Sequence, residues 1–452
     1  MVSMSMVDVS SIRMTFRAKA FIFLIALFFI FGLVVDRVFL SFSIALIVFL
    51  ACVRGYVALA LGAVMKFGID IPSTIAVDGD YVDVDIAIRN NMFVPVAFLE
   101  VSIDYSPFIK LSDGSKALLL FIPSKSYIGV KLRFLARVGT HYIGPLNAVV
   151  RDPLGLFRSI DVSIGGRSYV KVFPKVSEAE VRKLLLYTRA SGLVRSRQRG
   201  SGVEFHSLRE YREGDDMRRI DWKHFSALQR LFVKDMERET MSYIVFVVDA
   251  TKDMLSGVYG YTPLDHCSRI VASIARYLAL RGDNVMLTIY NEADLIYTQG
   301  FVKGIKGFNV ISSLLSSIDF SKYVEKNTKY SRSSAITVAI NSIISSIPRE
   351  KILVFIFTSS GDESYKEALL RNIEKLKTMK CNIYVVMPIT TAFEVKGLEP
   401  WQQAIYRIKV FDDMKRELEF VKKLRRYGVN VVATGPKHIP QTVISIVEQY
   451  RT

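Results

Sequence analysis

The sequence predicts a multidomain protein with an N-terminal transmembrane helical hairpin, an antiparallel β-sandwich and a doubly wound α/β domain, in that order. Two uncharged apolar runs lie near the N-terminus, alternation of period two follows, and buried strands then alternate with amphipathic helices. At 452 residues the chain is long enough for two or three domains. We expect a membrane anchor over 1–67, a sandwich-like domain over 68–175, a linker over 176–240 and the α/β domain over 241–452.

The apolar runs at 20–35 and 38–53 are separated by the charged pair Asp36 and Arg37. With their flanking residues, each run approaches the roughly 20 residues that span a bilayer. Two runs around a charged pair favour permanent insertion over a cleaved signal peptide. Basic residues precede the first run and follow the second, which places both ends in the cytoplasm. We therefore predict a multi-pass protein of the cell membrane, in contact with the lipid bilayer, with cytoplasmic soluble domains.

The β-sandwich is predicted by short alternating segments between about residues 69 and 172. Turn residues separate these segments, which is typical of six or seven antiparallel strands. The clearest segments read "GDYVDVDIAIRN", "FLEVSIDY" and "YIGVKLRFLARVGTHYIGP".

Linker residues 176–240 divide into a basic stretch and a block rich in charges and aromatic rings. Residues 181–200 contain six Lys or Arg and no carboxylate, in a chain of net charge +17. On a membrane-anchored protein such a stretch lies near anionic headgroups. No recognised motif accompanies the charge, which disfavours nucleic acid as a partner. Binding of nucleic acid or anionic lipid through 181–200 stays the third functional hypothesis.

The α/β domain is predicted by continuous apolar strands that alternate with helices of amphipathic spacing. This pattern indicates a parallel sheet covered on both faces. The strands read "SYIVFVVDA", "NVMLTIY", "KILVFIFTSS", "NIYVVMP" and "VNVVATG". The helices read "LDHCSRIVASIARYLALRGD", "SAITVAINSIISSI", "ESYKEALLRNIEKLKTMK" and "DMKRELEFVKKLRRYG".

The first strand of this domain ends in "VVDATKDM", which places Asp249, Thr251 and Asp253 on one loop. Ligands bind at the carboxyl ends of the strands in open α/β sheets, and alternate oxygen ligands suit Mg²⁺. The pattern resembles the von Willebrand factor A fold, whose metal site uses Asp-x-Ser-x-Ser, a later Thr and a later Asp. Asp249 matches the first position, Thr251 conservatively replaces the second, and Asp253 stands where a Ser is expected.

For the two later positions the sequence offers Ser333 or Ser334, and then Ser359, with Asp362 slightly further on. The resemblance thus implies a degenerate Mg²⁺ site, and Mg²⁺ is the one cofactor for which the sequence gives a candidate. In the alternative interpretation, Asp249 and Asp253 cap a helix or accept loop hydrogen bonds.

Enzyme signatures are otherwise absent from the sequence. It has no phosphate-binding loop, no nucleophile elbow and no His-Glu-x-x-His, and its five histidines do not pair at ligand spacing. The cysteines Cys52, Cys267 and Cys381 are too scattered for a disulfide framework or a metal knuckle. We therefore expect no independent catalytic site, and a metal-dependent hydrolase that uses Asp249 and Asp253 stays the alternative function.

The charged block resembles a second family, domain of unknown function 58. Its matching residues are Glu204, Phe205, Leu208, Arg209, Tyr211, Gly214, Asp215, Arg218, Ile220, Asp221, Trp222, Lys223, Ala227 and Lys234. We name residues 204–234 the signature segment. Members of that family are often encoded beside MoxR-type AAA+ ATPases, which implies such an ATPase and client proteins as partners.

The chemistry of the signature segment leaves two roles open. Three of its basic residues, Arg209, Arg218 and Lys223, can pair with Glu204, Asp215 and Asp221, while Phe205, Tyr211 and Trp222 bury their rings. The segment would then hold the domain together. Alternatively Arg209, Arg218 and Trp222 face outward as a docking surface. The leading functional hypothesis is a membrane-anchored cytoplasmic scaffold that presents its α/β domain to an AAA+ ATPase or a client.

Overall fold

The chain forms two compact units in the computed structural model. Unit 1 is Met1–Val172 with Asp319–Ser321, and unit 2 is Phe173–Ile318 with Lys322–Thr452. The structure describes residues 11–70, 74–176, 199–228, 230–237, 242–324, 328–348, 351–389, 399–434 and 439–451. Most of the basic stretch 181–200 therefore lies outside the described residues.

Unit 1 begins with the two apolar helices that the sequence predicts, α1 (Phe16–Val34) and α2 (Arg37–Val64). The side chains of Thr15 and Asp36 accept hydrogen bonds at their N-termini, which stabilises both helix starts. Both helices are long and apolar enough to cross a membrane. At 1.5 Å per residue α2 is about 42 Å long, more than a bilayer core requires. One face of its last two turns, from Val57 to Val64, packs into the core of unit 1.

Two β-sheets complete unit 1. The strands are β1 (Ile12–Met14), β2 (Gly68–Asp70), β3 (Thr74–Val77), β4 (Tyr81–Arg89), β5 (Val96–Tyr105), β6 (Lys110–Asp113), β7 (Ala117–Ile122), β8 (Tyr127–Leu135), β9 (Gly139–Arg151), β10 (Phe157–Ser159), β11 (Val162–Ile164) and β12 (Ser168–Phe173). Strands β2, β4, β8 and β6 form a four-stranded sheet, and the others form an eight-stranded sheet. Alternate residues of β4 are buried, and one apolar cluster takes residues from both sheets.

In unit 2, β13 (Arg199–Glu210) leads into the signature segment and pairs antiparallel with β14 (Phe232–Glu237). A 3₁₀ turn (Met217–Arg219) and the short helix α3 (Trp222–Leu228) lie between these strands. Ile220 and Val233 are buried opposite each other in an isolated bridge. The signature segment is thus an ordered ribbon with helical turns at its end.

The remainder of unit 2 is a doubly wound α/β domain. Its strands are β15 (Tyr243–Asp249), β16 (Asn284–Tyr290), β17 (Leu295–Tyr297), β18 (Val302–Lys303), β19 (Ile352–Phe357), β20 (Asn382–Pro388) and β21 (Asn430–Thr434). Its helices are α4 (Pro263–Arg281), α5 (Gly304–Ser316), α6 (Ser321–Val324), α7 (Arg332–Ile344), α8 (Glu363–Thr378), α9 (Pro400–Lys409), α10 (Phe411–Arg426) and α11 (Ile439–Arg451).

The strand order is β17-β16-β15-β19-β20-β21, with β17 and β18 antiparallel to β16 and the other neighbours parallel. Val245 and Val247 pack in one cluster with residues of α7 and α8. The intervening Phe246 is equally buried, so both faces of the sheet are covered, as the apolar strands predict. The strand order reverses between β15 and β19, where their carboxyl ends lie side by side.

Candidate functional site

The carboxyl ends of β15 and β19 bring four buried polar residues together. Asp249 ends β15, and Thr251 follows it on the next loop. Thr358 and Ser359 come directly after β19. The side chain of Asp249 has no exposed surface, so this carboxylate requires partners within the protein.

Both carboxylate oxygens of Asp249 accept hydrogen bonds. Oδ1 accepts from the backbone N–H of Thr251 at 2.9 Å and from its Oγ1 at 2.6 Å. Oδ2 accepts from Oγ1 of Thr358 at 2.8 Å and from the guanidinium of Arg332. The buried negative charge therefore meets hydroxyl groups on both sides and a positive charge on one.

Arg332 is the first residue of α7, and its side chain is only 9% exposed. Its Nη2 lies 2.6 Å and its Nε 3.2 Å from Oδ2 of Asp249. Nη2 also donates to Oγ of Ser359 at 2.8 Å, and Nη1 forms an ion pair with Asp253. Asp253 is 56% exposed, so the guanidinium connects a buried carboxylate to one at the surface.

The guanidinium lies over the ring of Tyr365, with Cζ 4.0 Å from the ring centre. The hydroxyl of Tyr365 contacts Oγ1 of Thr358 at 2.5 Å and the hydroxyl of Tyr290 at 2.7 Å. Burial raises the pKa of Tyr365, and Asp249 raises it further. Burial opposes the charge on Arg332, but Asp249 raises the pKa of the guanidinium beyond that effect. The arginine stays charged and both tyrosines stay neutral.

The structure brings four of the five predicted metal ligands together, namely Asp249, Thr251, Asp253 and Ser359. Ser333, the fifth, instead contacts Oγ of Ser364 at 2.7 Å. Among the residues that the structure describes, no group of three His, Cys, Asp or Glu side chains could hold a metal ion. The cluster is assembled around Arg332.

Sequence reasoning missed three further members of this cluster. Thr358, Tyr365 and Arg332 contact Asp249 or one another across 7 to 109 residues of sequence. The only available signal was the position of Arg332, immediately before the serine pair that was considered as metal ligands.

Within the signature segment, Arg209 and Asp215 form a bidentate ion pair with distances of 2.7 and 2.6 Å. The backbone N–H of Arg212 also donates to Asp215 at 2.9 Å. Hydrogen bonding from Arg209 lowers the pKa of Asp215 to about 2. Gly214 has φ +99°, a conformation that favours glycine in this tight loop. Arg209 thus faces inward and holds the loop closed, with the partner that the sequence predicts.

Asp221 is the second anchor of the signature segment. Its Oδ2 lies 3.0 Å from Nδ1 of His224 and 3.6 Å from Nζ of Lys234, and its Oδ1 accepts from the backbone N–H of Lys223. Burial of Asp221 opposes its charge, but His224 and Lys234 lower its pKa. Glu204 lies in β13, and its side chain, like that of Phe205, is outside the described part of the structure.

Trp222 and Arg218 are exposed, as the docking alternative expects, whereas the first interpretation buries the ring of Trp222. Trp222 is 58% exposed, and Met217, the first residue of the 3₁₀ turn, is 66% exposed. Arg218 is exposed, and its side chain forms no ion pair within the part of the chain that the structure describes. Ile220 is buried in this stretch, whereas Trp222 begins the short helix α3 at the surface. Tyr211 is half-buried.

A family model described as "Protein of unknown function DUF58" matches residues 207–388. The match begins in the signature segment and ends with β20, so it includes Asp249, Arg332 and Ser359. It confirms the family resemblance that the signature residues indicate. No curated protein matches the sequence significantly.

Solved structures resemble parts of the chain at low sequence identity. The VWA domain of SpRpn10 is 15% identical, covers 46% of this chain and 95% of its own, and has a TM-score of 0.26. A non-cellulosomal cohesin from the archaeon Archaeoglobus fulgidus is 14% identical, covers 26% of this chain and 96% of its own, and has a TM-score of 0.18. A cohesin–dockerin complex from Clostridium thermocellum is 8% identical, covers 24% of this chain and 98% of its own, and has a TM-score of 0.17. These scores are too low to support an argument, so our fold description rests on the observed strand order.

Proposed function

We propose, on the premise that residues 207–388 belong to the DUF58 family, that this chain is a membrane-anchored cytoplasmic scaffold. In this proposal it presents its α/β domain, which resembles the von Willebrand factor A fold, to a MoxR-type AAA+ ATPase during the assembly or maturation of client proteins. The main support for the proposal is that the signature segment has two structurally different parts. One part is closed by internal ion pairs, and the other exposes Met217, Arg218 and Trp222.

Exposed apolar surface on α1 and α2 supports the anchor. Large side chains such as Phe23, Ile30, Phe42 and Val48 are each more than half exposed. A soluble protein rarely exposes such a continuous apolar surface, whereas lipid tails cover it without cost. Because the last turns of α2 pack into the core of unit 1, residues 37–56 form the proposed second span. Basic residues at both outer ends favour cytoplasmic soluble units.

The exposed part of the signature segment supports a docking role. Tryptophan and arginine are the residue types that most often dominate binding energy in interfaces. The ring of Trp222 lies edge-on to Phe225, with ring centres 6.1 Å apart, which gives the surface a defined aromatic shape. Arg218, on the preceding 3₁₀ turn, adds an exposed positive charge to the segment. The proposed partner surface therefore offers an apolar pocket with a carboxylate at its rim.

Affinity capture from native membranes tests the proposal. The chain has two tryptophans, Trp222 and Trp401, and both are more than half exposed. We expect wild type and Trp401→Ala to recover an AAA+ ATPase, and Trp222→Ala to recover at least tenfold less, which corresponds to about 1.4 kcal/mol of binding free energy. Equal recovery by both variants would refute docking through the signature segment. Recovery of no ATPase by wild type would refute the scaffold role.

The alternative of a metal-dependent hydrolase gains no support from the geometry. Both oxygens of Asp249 are engaged by Thr251, Thr358 and Arg332, and Asp253 is paired with the same arginine. Binding of nucleic acid or anionic lipid through 181–200 stays a prediction, because most of that stretch lies outside the described residues.

A further inference from the structure

The oxygen atoms at the carboxyl ends of β15 and β19, which we call the carboxyl edge of the sheet, do not fit a divalent cation. Mg²⁺ and Ca²⁺ require several oxygen ligands with lone pairs directed at the ion. A carboxylate offers about four lone-pair positions, and Asp249 already accepts from two atoms of Thr251, from Thr358 and from two atoms of Arg332. A cation would have to displace the guanidinium, whose positive charge would repel it.

The surroundings of Arg332 are shaped for a guanidinium. A Cβ added at Gly361 would lie 2.6 Å from Nη1 of Arg332 and 2.7 Å from Cδ1 of Tyr365, so only glycine leaves room for both. Gly361 also has φ +60°, a conformation that other residues rarely adopt. The ring of Tyr365 supports one face of the guanidinium, and Ser359 accepts from its edge. Packing, hydrogen bonding and charge therefore all favour this one side chain.

We propose that Arg332 is a built-in cation that takes the place of a metal ion at this edge, so that the α/β domain holds its Asp249 loop without any divalent cation. The guanidinium neutralises the buried carboxylate and links the loop after β15 to α7 and to the residues after β19. This inference concerns the charge balance inside unit 2 and is independent of the proposed ATPase partner.

Binding of Mn²⁺ by the full-length protein in detergent provides the first test, read by electron paramagnetic resonance. The proteins compared are wild type, Asp249→Asn and Asp253→Asn, the last at a position that is 56% exposed. We expect all three to bind the same small amount of Mn²⁺. A bound signal in wild type that is lost in either variant would overturn the proposal.

A double-mutant comparison provides the second test. Arg332→Met leaves the Asp249 carboxylate buried without a counter-charge, and we expect the melting temperature to fall by roughly 6 to 20 °C. In the Asp249→Asn background the same substitution leaves no buried carboxylate without a counter-charge, because only the exposed Asp253 loses its ion pair, and it lowers the melting temperature by less than half as much. An equal fall in both backgrounds would overturn the proposal. If Arg332→Met does not fold, the Mn²⁺ measurement on wild type still decides.

Discussion

Removal of one hydroxyl, by Tyr365→Phe, probes the buried network around Asp249. The side chains of Tyr365, Tyr290 and Thr358 are fully buried. The Tyr365 hydroxyl lies 2.7 Å from that of Tyr290 and 2.5 Å from Oγ1 of Thr358. Phenylalanine keeps the ring under the guanidinium of Arg332, so the substitution changes hydrogen bonding with little change in packing.

The loss of stability expected in Tyr365→Phe depends on which hydrogen bonds Thr358 and Tyr290 keep. Thr358 keeps its hydrogen bond to Asp249 at 2.8 Å, whereas Tyr290 loses the partner of its hydroxyl. One buried hydroxyl left unsatisfied costs about 1–3 kcal/mol of unfolding free energy. At about 2–4 °C per kcal/mol, the melting temperature falls by roughly 2–12 °C. Differential scanning calorimetry of the detergent-solubilised full chain measures this fall.

The control is the double substitution. Tyr290→Phe alone removes the other hydroxyl of the pair, and in the variant with both changes neither is left to be unsatisfied. We expect the double variant to lose less stability than the sum of the two single variants, by about 1 kcal/mol or more. Strictly additive losses, or no change in Tyr365→Phe, would refute the buried network.

Two further substitutions test the other contacts. Arg209 lowers the pKa of Asp215 from 3.8 to about 2, so the ion pair stabilises the fold fully above about pH 4 and progressively less as the pH falls towards 2. In Asp215→Asn, the melting temperature should therefore fall less steeply than in wild type over this pH range. An unchanged dependence of the melting temperature on pH would contradict the pairing. Gly361→Ala adds a Cβ 2.6 Å from Arg332, whereas Gly260→Ala has a similar positive φ and no atom within 4 Å. Backbone strain should lower the free energy of unfolding of both variants by about 1–2 kcal/mol. The close contact should add a further loss in Gly361→Ala. Equal losses in the two variants, measured by thermal unfolding, would argue against a tightly enclosed guanidinium.

The α/β domain could be predicted well because its elements are local patterns. The apolar strands that end at Asp249 and Phe357, and the four helices that the sequence predicts, have the expected positions, whereas helices such as α5 and α9 were not predicted. The parallel sheet follows from their alternation, and the carboxyl edge follows from the sheet. The meeting of Asp249, Thr251, Asp253 and Ser359 at that edge was therefore accessible from sequence.

The side chain at the centre of that edge was not accessible from sequence. Arg332 is 83 residues from Asp249, and a single arginine before two serines has no distinctive spacing. Its role depends on long-range packing against Tyr365 and on the space left by Gly361. In the signature segment, the pairing of Arg209 with Asp215 was predictable from their charges. Whether Trp222 is buried or exposed was not, because both alternatives fit the same residues.

Site-specific photo-crosslinking in native membranes tests the scaffold proposal most directly. A benzophenone amino acid placed at Trp222 would react with whatever contacts the exposed part of the signature segment, and the same group at Trp401 serves as the matched control. We expect an AAA+ ATPase to be crosslinked from position 222 and not from position 401. No crosslinked protein at position 222, or the same products from both positions, would contradict a docking surface at the signature segment.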